Sequence, residues 1–149
     1  MVPRPFRVKG IIQESHDTMT LDLQSENPEE EYGFAPGQFN MLYTFGVGEV
    51  PISISGSSNE SGNYLHTIRD VGKVTHALNS LKPGQKVGLR GPFGNAWPIE
   101  EAKGKDVVII AGGIGLAPLR PALNALICQR DQYGDIALLY GCRTKEDIL

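Results

Sequence analysis

The distribution of apolar and polar residues changes character about two thirds of the way along the chain. Before residue 98, short apolar segments alternate with turn residues, and Leu21 and Leu23 alternate with Asp22 and Gln24. This alternation is typical of strands that have one face in a core. Many short strands at regular spacing predict a small antiparallel barrel. The six candidate strands cover residues 6–12, 19–24, 38–45, 52–56, 64–71 and 86–90.

One short helix interrupts these strands at residues 74–81, with Val74, Leu78 and Leu81 on one face. After Gly104 the pattern becomes strand, helix, strand. Residues 107–111 and 136–140 are continuous apolar runs, which are typical of parallel strands covered on both faces. Apolar residues recur between them at helical spacing. The second region is therefore predicted to be one βαβ unit with a right-handed crossover.

The turn between the first of these strands and the helix contains Gly112, Gly113 and Gly115, followed by Pro118. Glycines let the backbone approach a phosphate, and proline suits the first position of a helix. The free N–H groups at a helix start favour a pyrophosphate. The third glycine of the usual dinucleotide motif is absent, so an ordinary strand-to-helix turn remains the alternative.

Two further segments carry candidate chemistry. Gly72-Lys73-Val74-Thr75 begins the short helix and follows Arg69, so backbone N–H groups, a hydroxyl and two cations could meet a phosphate there. An ordinary helix cap explains the glycine and threonine equally well. Pro51-Ile52-Ser53 places an apolar residue beside a hydroxyl, which could face a flat ring and one of its heteroatoms.

Composition narrows the classes of function. The 149 residues carry a net charge of -3, which argues against nucleic-acid binding. No apolar run reaches membrane-spanning length and the N-terminus lacks a signal-peptide core, so we expect a cytoplasmic protein. Cys128 and Cys142 are expected to be small buried thiols, and the dispersed histidines predict no metal site.

Six motifs follow one another along the whole chain: Ala35-Pro36-Gly37-Gln38-Phe39, Pro51-Ile52-Ser53-Ile54, residues 68–75, Leu89-Arg90-Gly91-Pro92-Phe93-Gly94, residues 111–118 and Tyr140-Gly141-Cys142-Arg143-Thr144. In this order they resemble the ferredoxin–NADP reductase superfamily. The resemblance is closest to its electron-transfer subunits, which include those of dihydroorotate dehydrogenase and of anaerobic sulfite reductase, together with the hydrogenase gamma subunit.

The resemblance implies a six-stranded antiparallel Greek-key barrel that binds FAD, over residues 1–98. The first βαβ unit of a doubly wound NAD(P)-binding domain follows over residues 104–149. Residues on the barrel are expected to hold the flavin as follows. The isoalloxazine lies against Pro51, Ile52 and Ser53, with Ser53 in the catalytic position near N5. The ribityl and phosphate side lies against Thr67, Ile68 and Arg69, and the pyrophosphate against Gly72, Val74 and Thr75.

The resemblance places the nicotinamide dinucleotide, NAD or NADP, on the glycine turn at Gly112, Gly113, Gly115, Leu116, Ala117 and Pro118. It places Cys142 and Arg143 near the nicotinamide or its ribose. Val50 stands where the family usually has an arginine that grips the FAD pyrophosphate, and Arg69 is the candidate to compensate. The cysteines that ligate a [2Fe–2S] cluster in many relatives are absent here, so a cluster is expected in a missing C-terminal segment or in a partner.

These features together predict a flavoprotein electron-transfer subunit. It would move reducing equivalents between NAD(P)H and an iron–sulfur, hydrogenase or reductase partner subunit through FAD. Two alternatives stay open at this point. One is a non-catalytic docking subunit of a redox complex, which Val50 favours. The other is a free NAD(P)H:flavin reductase that uses FMN. A homo-oligomer is a further candidate, because the apolar faces of the two strands in the second region must be shielded from water.

Overall fold

The computed structural model describes residues 2–27, 33–57 and 64–149. The acidic run at 29–31 and the turn predicted at 59–62 lie outside these ranges. The first region contains six antiparallel strands and one helix: β1 (Arg4–Gln13), β2 (Thr18–Ser25), β3 (Phe39–Thr44), β4 (Gly48–Ser53), β5 (Tyr64–Arg69), α1 (Lys73–Asn79) and β6 (Lys86–Phe93). The strand order β4-β3-β6-β1-β2-β5 makes one sheet.

This sheet curves so that its two edge strands meet. A single antiparallel bridge joins Ile54, just after β4, to His66 of β5, and the Ser55 N–H donates to the Leu65 carbonyl at 2.9 Å. We call the curved sheet the barrel; among the described residues, this short contact joins its edges. The six-stranded antiparallel architecture expected from the sequence is confirmed.

The barrel encloses one continuous apolar core. Alternate residues of the strands point inward, as the spacing of Leu21 and Leu23 predicted, and α1 adds Leu78. Val74 in α1 and Leu81, two residues after α1, pack against the same core. The other fully buried side chains include Phe6, Val8, Met19, Leu42, Ile68, Val87 and Leu89.

Strand β4 begins four residues earlier than predicted. The sequence indicated a strand at 52–56, but the strand runs from Gly48 to Ser53 and pairs with β3 along its whole length. Val50 and Ile52 pack against the core, which explains why pairing extends back into the predicted turn. Pro51 is accommodated because β4 is an edge strand, where a missing N–H costs little.

The second region is a βαβ unit, as predicted. It consists of β7 (Val107–Gly112), a 3-10 helix over Gly113–Leu119, α2 (Arg120–Cys128) and β8 (Ile136–Gly141). Strands β7 and β8 are parallel, with Val107 opposite Ile136. A second, smaller core forms around Ile109, Leu126 and Tyr133. Among the residues that the structure describes, no helix is long and apolar enough to cross a membrane.

The two apolar strands leave one sheet face uncovered, as expected for two such strands with a single helix between them. Val108 and Ile110 of β7 and Leu139 of β8 are exposed, while Ile109 and Ala111 on the opposite face are buried. The reason is that α2 and the 3-10 helix cover only one side of this two-stranded sheet.

The two regions touch at defined points. The Trp97 backbone N–H donates to the Pro36 carbonyl at 2.8 Å, and its indole N–H donates to the Pro118 carbonyl at 3.2 Å. The Arg120 guanidinium, at the start of α2, lies 3.4 Å from the Glu14 carboxylate beyond β1. These contacts set the βαβ unit against the end of the barrel that carries Arg69.

Candidate functional site

The glycine turn lies at the carboxyl end of β7, where ligands bind in open α/β sheets. Gly113 has φ +50°, a conformation that favours glycine, and a Cβ added there would meet no atom within 4 Å. Gly115 and Gly141 have the same open space. The backbone is therefore exposed along one side of the turn, which is the surface that a phosphate-bearing ligand needs.

The prediction that Pro118 occupies the first helical position is wrong. Pro118 lies inside the 3-10 helix over Gly113–Leu119, and α2 begins only at Arg120, with Pro121 in its first turn. Pro118 has no N–H to donate, and its carbonyl accepts from the Trp97 indole. The tighter 3-10 winding carries the chain from the glycine turn into α2.

A cavity of about 440 Å³ opens in front of the glycine turn. It brings together predicted site residues from both regions: Gly112, Gly113, Cys142 and Arg143 from the βαβ unit, and Arg69 from β5. The Tyr140 hydroxyl donates to the Gly113 carbonyl at 3.1 Å, so the end of β8 is tied directly to the turn. Ile114, Gly141 and Asp147 complete the lining.

The other predicted residues of the turn do not line this cavity. The side chains of Leu116 and Ala117 are buried, and neither they nor Gly115 and Pro118 line the cavity. If they contact a dinucleotide, they do so through backbone atoms. Leu116 and Ala117 instead pack the 3-10 helix down, which fixes the path of the exposed backbone next to them.

Arg69 is held at the cavity by the loop between β1 and β2. Its Nε lies 3.2 Å from Asp17 Oδ2. The Thr18 and Ser15 hydroxyls donate to Asp17 and, together with Arg69, hold the pKa of this carboxyl below its ordinary value. Asp17 therefore stays ionised at neutral pH and orients the guanidinium. Arg69 Nε makes no well-aligned hydrogen bond in this arrangement.

The start of α1 carries the predicted pyrophosphate residues. Gly72 is the N-cap and is open to solvent, and a Cβ there would meet nothing within 4 Å. The Thr75 hydroxyl accepts the N–H groups of Val71 and Gly72 at 3.0 and 2.9 Å and donates to the Gly72 carbonyl. This hydroxyl thus acts as a helix cap. The groups available to an anion at the start of α1 are therefore the backbone N–H groups of its first turn.

The residues of the two strand segments predicted to face the flavin differ in how far their side chains are exposed. Pro51 is exposed, Ser53 is partly exposed, and Ile52 packs partly against the barrel core. In β5, Ile68 is a core residue. The Thr67 hydroxyl is buried and hydrogen-bonded to Thr20 and Ser55. Arg69, at the end of the same strand, is the member of this group that reaches the cavity.

Both cysteines are exposed, which corrects the expectation of buried thiols. Cys128 is the last residue of α2, and Cys142 follows β8, so each lies where an element ends and its packing stops. Cys142 faces the cavity beside Arg143.

Several residues of the site were not predicted. Asp17, Glu14 and Arg120 act through contacts between segments far apart in the chain, and no local pattern marks them. Tyr140 and Gly141 belong to the quoted motif at the end of β8, and a tyrosine next to a strand-end glycine was the available signal.

Comparison with known proteins agrees with this geometry. The family described as oxidoreductase FAD-binding domain matches residues 5–97, which covers more than half of the chain. The chain belongs to this oxidoreductase family. The family described as oxidoreductase NAD-binding domain matches residues 109–149, from within β7 onward. The glycine turn and the end of β8 thus fall in the NAD-binding match, and Arg69 falls in the FAD-binding match.

Individual members of the family include electron-transfer subunits. The chain is 44% identical over 126 residues to sulfhydrogenase 1 subunit gamma of Pyrococcus furiosus, covering 83% of this chain and 43% of that protein. It is 36% identical over 148 residues to a probable dihydroorotate dehydrogenase B (NAD(+)) electron transfer subunit of Methanocella arvoryzae, covering 99% of this chain and 52% of that protein. The chain therefore spans about half the length of these relatives.

A solved structure supports the fold. The flavohem-like FAD/NAD binding domain of nitric oxide dioxygenase from Vibrio cholerae superposes with a TM-score of 0.85 at 24% identity, covering 99% of this chain and 65% of that one. The family assignment expected from the six sequence motifs is confirmed.

Proposed function

We propose that this chain forms the flavin-binding part and the first nicotinamide-binding part of an electron-transfer subunit. Residues 1–98 would bind FAD and residues 104–149 would begin the NAD(P)-binding domain. The observation that carries the proposal is the shared cavity, in which Arg69 of the barrel meets Gly112, Gly113 and Arg143 of the βαβ unit. A flavin on the barrel and a dinucleotide on the glycine turn would then lie side by side.

The described residues fit a dinucleotide. Gly113 and Gly141 expose backbone where any Cβ would intrude on the ligand space, and Arg69 and Arg143 supply positive charge to phosphates. Asp147 on the same lining could accept a hydrogen bond from a ribose hydroxyl. The open N-cap at Gly72, three residues from Arg69, fits the pyrophosphate of a flavin.

When bound, FAD supplies the capacity to take up a hydride and to give up electrons one at a time. The chain's own residues would bind and orient the cofactors. Arg69 would neutralise phosphate charge, with its direction set by Asp17. Gly112 and Gly113 would let the dinucleotide approach closely, and Ser53 would donate or accept a hydrogen bond near the flavin ring. Such positioning is the main contribution of a protein to cofactor chemistry.

The relatives' names suggest the class of partner. Sulfhydrogenase gamma and the dihydroorotate dehydrogenase electron transfer subunit are each one subunit of a larger enzyme. We propose that this chain likewise exchanges electrons with an iron–sulfur or reductase subunit. A [2Fe–2S] cluster would belong to that partner or to a further segment, because two separated cysteines cannot ligate one. The cytoplasmic location stays a prediction.

The first test is the cofactor itself. The protein should copurify with a yellow chromophore, and mass spectrometry of the released compound should show FAD. Release of FMN would favour the free flavin reductase instead. A colourless protein that does not take up added FAD would favour the non-catalytic docking subunit and would contradict the proposal.

The second test uses a matched pair of glycines. Gly113 and Gly104 both have positive φ, +50° and +76°, and both have open space around a Cβ. Gly113→Val and Gly104→Val should therefore cause similar backbone strain, of about 1–3 kcal/mol. Only Gly113 lines the cavity. Rapid-mixing measurements should show that flavin reduction by NADH or NADPH fails in Gly113→Val and persists in Gly104→Val. Equal behaviour of the two variants would mean that the glycine turn is structural.

A further inference from the structure

The carboxylate of Glu14 joins the barrel to the βαβ unit. Glu14 follows β1, and its side chain is 15% exposed. Its Oε1 accepts a hydrogen bond from the Thr20 hydroxyl at 2.6 Å, and Arg120 Nη1 lies 3.4 Å from the same oxygen. Arg120 is the first residue of α2, directly after the 3-10 helix that leaves the glycine turn. One carboxylate oxygen therefore contacts both regions.

From Glu14, a chain of buried hydroxyl groups, here called the hydroxyl chain, runs across neighbouring strands of the barrel. Thr20 and Thr67 are 2.8 Å apart between hydroxyl oxygens, and Thr67 and Ser55 are 2.9 Å apart. All three side chains are buried. Ser55 lies two residues after Ser53, which the sequence resemblance places at the flavin ring. Through Glu14, the hydroxyl chain thus links Arg120, at the start of α2, to Ser55, two residues after the end of β4.

An ionised Glu14 fixes the donor-to-acceptor direction of every hydrogen bond in the hydroxyl chain. A carboxylate can only accept, so Thr20 must donate its single proton to Glu14. Thr20 can then only accept from Thr67, and Thr67 in turn accepts from Ser55. Hydrogen bonds aligned in one direction strengthen one another, and the low exposure of the hydroxyl chain limits competition from water.

We propose that Glu14 is a positioning residue that sets the glycine turn against the flavin side of the barrel. This inference rests on the proposed function. The 3-10 helix and α2 follow the turn without a break, so a shift of Arg120 moves Gly113 as well. Because both side chains of the ion pair are largely shielded, the loss of either partner leaves the other charge poorly compensated. Glu14 is thus one of the contact points through which the two halves of the site are aligned.

The first arm of the test needs no cofactor. Hydrogen-exchange mass spectrometry compares Glu14→Gln, Arg120→Gln and the double variant with the parent. Each single variant should raise amide exchange in residues 113–128 by about tenfold, and the double variant should exchange no faster than the singles. Glu26→Gln is the matched control, because Glu26 pairs with Arg7 and Lys86 on the barrel alone. It should leave residues 113–128 unchanged.

The second arm measures flavin reduction by NAD(P)H in the protein as isolated with its flavin. Misplacement of the turn should lower the limiting reduction rate by about tenfold to a hundredfold. The dissociation constant of the dinucleotide should change much less than the rate, because its contacts with the glycine turn move together with the turn. Arg120→Lys, which keeps the charge, should restore much of the rate, and Glu26→Gln should reduce normally.

The outcomes separate this proposal from the one it rests on. Unchanged exchange in Glu14→Gln, or additive effects in the double variant, would overturn the coupling. Raised exchange with an unchanged limiting rate would overturn the positioning role. A parent protein whose flavin is not reduced by either nicotinamide would overturn the proposed function and the positioning role with it, while the exchange data would still report whether Glu14 couples the regions.

Discussion

The barrel and the βαβ unit bury their apolar residues to very different degrees. In the barrel, Leu42 of β3 is 0% exposed, whereas in the βαβ unit Leu139 of β8 is 58% exposed and Ile110 of β7 is 72% exposed. The barrel curves around its own core, and α1 packs against that core. The βαβ unit has one helical layer against one face of two strands. Equally apolar strand sequences can therefore end in opposite environments, because burial depends on what covers the sheet.

The largest expected effect comes from the same substitution made in each region. Leu42→Ala should lower the free energy of unfolding by about 2–5 kcal/mol, because it removes fully buried methyl groups and leaves a cavity. Leu139→Ala should change it by less than about 0.5 kcal/mol. Chemical denaturation followed by circular dichroism measures both, at protein concentrations at which the chain is monomeric. Comparable losses in the two variants would mean that Leu139 is covered within the monomer.

Acid should weaken the barrel through His66. This side chain is fully buried, its Nδ1–H donates to the Tyr64 carbonyl, and its Nε2 accepts from the Asn40 amide. Burial lowers the pKa of His66 from 6.5 to about 4. The folded protein thus binds this proton less readily than the unfolded chain. The stabilisation from the neutral ring is complete above pH 6.5 and is lost as the pH falls towards 4, by about 3 kcal/mol.

The measurement is the unfolding free energy between pH 7 and 4. The decrease should be much smaller in His66→Gln, whose amide cannot titrate. His16→Gln serves as the control, because His16 is 78% exposed and should leave the pH dependence intact. If the parent and His66→Gln lose stability in parallel, other groups cause the acid sensitivity.

Local patterns in the sequence predicted the elements and the glycine turn, because both follow from the order of neighbouring residues. The alternation around Leu21 and the apolar run at 107–111 each indicated the correct strand. The same patterns predicted that two such strands with one helix leave an apolar face uncovered, but they did not identify Val108 and Ile110 as its residues, because an uninterrupted apolar run shows no alternation between the two faces.

Contacts between distant segments were also beyond local patterns. Glu14 and Arg120 are 106 residues apart, and their pairing depends on how the βαβ unit lies against the barrel. Asp17 orients Arg69 for the same kind of reason. The role of the Thr75 hydroxyl was undecided between cap and ligand, since both interpretations use the same residue at the same place, and only the hydrogen bonds to Val71 and Gly72 distinguish them.

Substitution of Arg69 tests whether the barrel contributes to FAD binding at the shared cavity. Arg69→Ala removes a charge-assisted bond worth about 1.5–3 kcal/mol, so flavin affinity should fall by about tenfold to a hundredfold. Fluorescence titration of the apoprotein with FAD measures this. Arg7→Ala is the matched control, because Arg7 pairs with Glu26 away from the cavity and should leave the affinity unchanged. Full retention of FAD by Arg69→Ala would show that the pyrophosphate lies elsewhere.

The smallest expected change in stability accompanies a change in association. Val108, Ile110 and Leu139 form an exposed apolar face on the βαβ unit, and burying such a surface contributes about 25 cal/mol per Å². We therefore expect the isolated chain to self-associate through this face. Ile110→Lys should alter the unfolding free energy by less than about 0.5 kcal/mol and should lower the associated fraction in sedimentation velocity.

The added charge of Ile110→Lys brings the net charge from -3 to -2, which by itself favours association, so a decrease must come from the lost apolar contact. Ile127→Lys, on α2 and 57% exposed, makes the same change of charge away from the sheet face and should not lower association. A parent chain that stays monomeric, or two variants that behave alike, would contradict a role for this face.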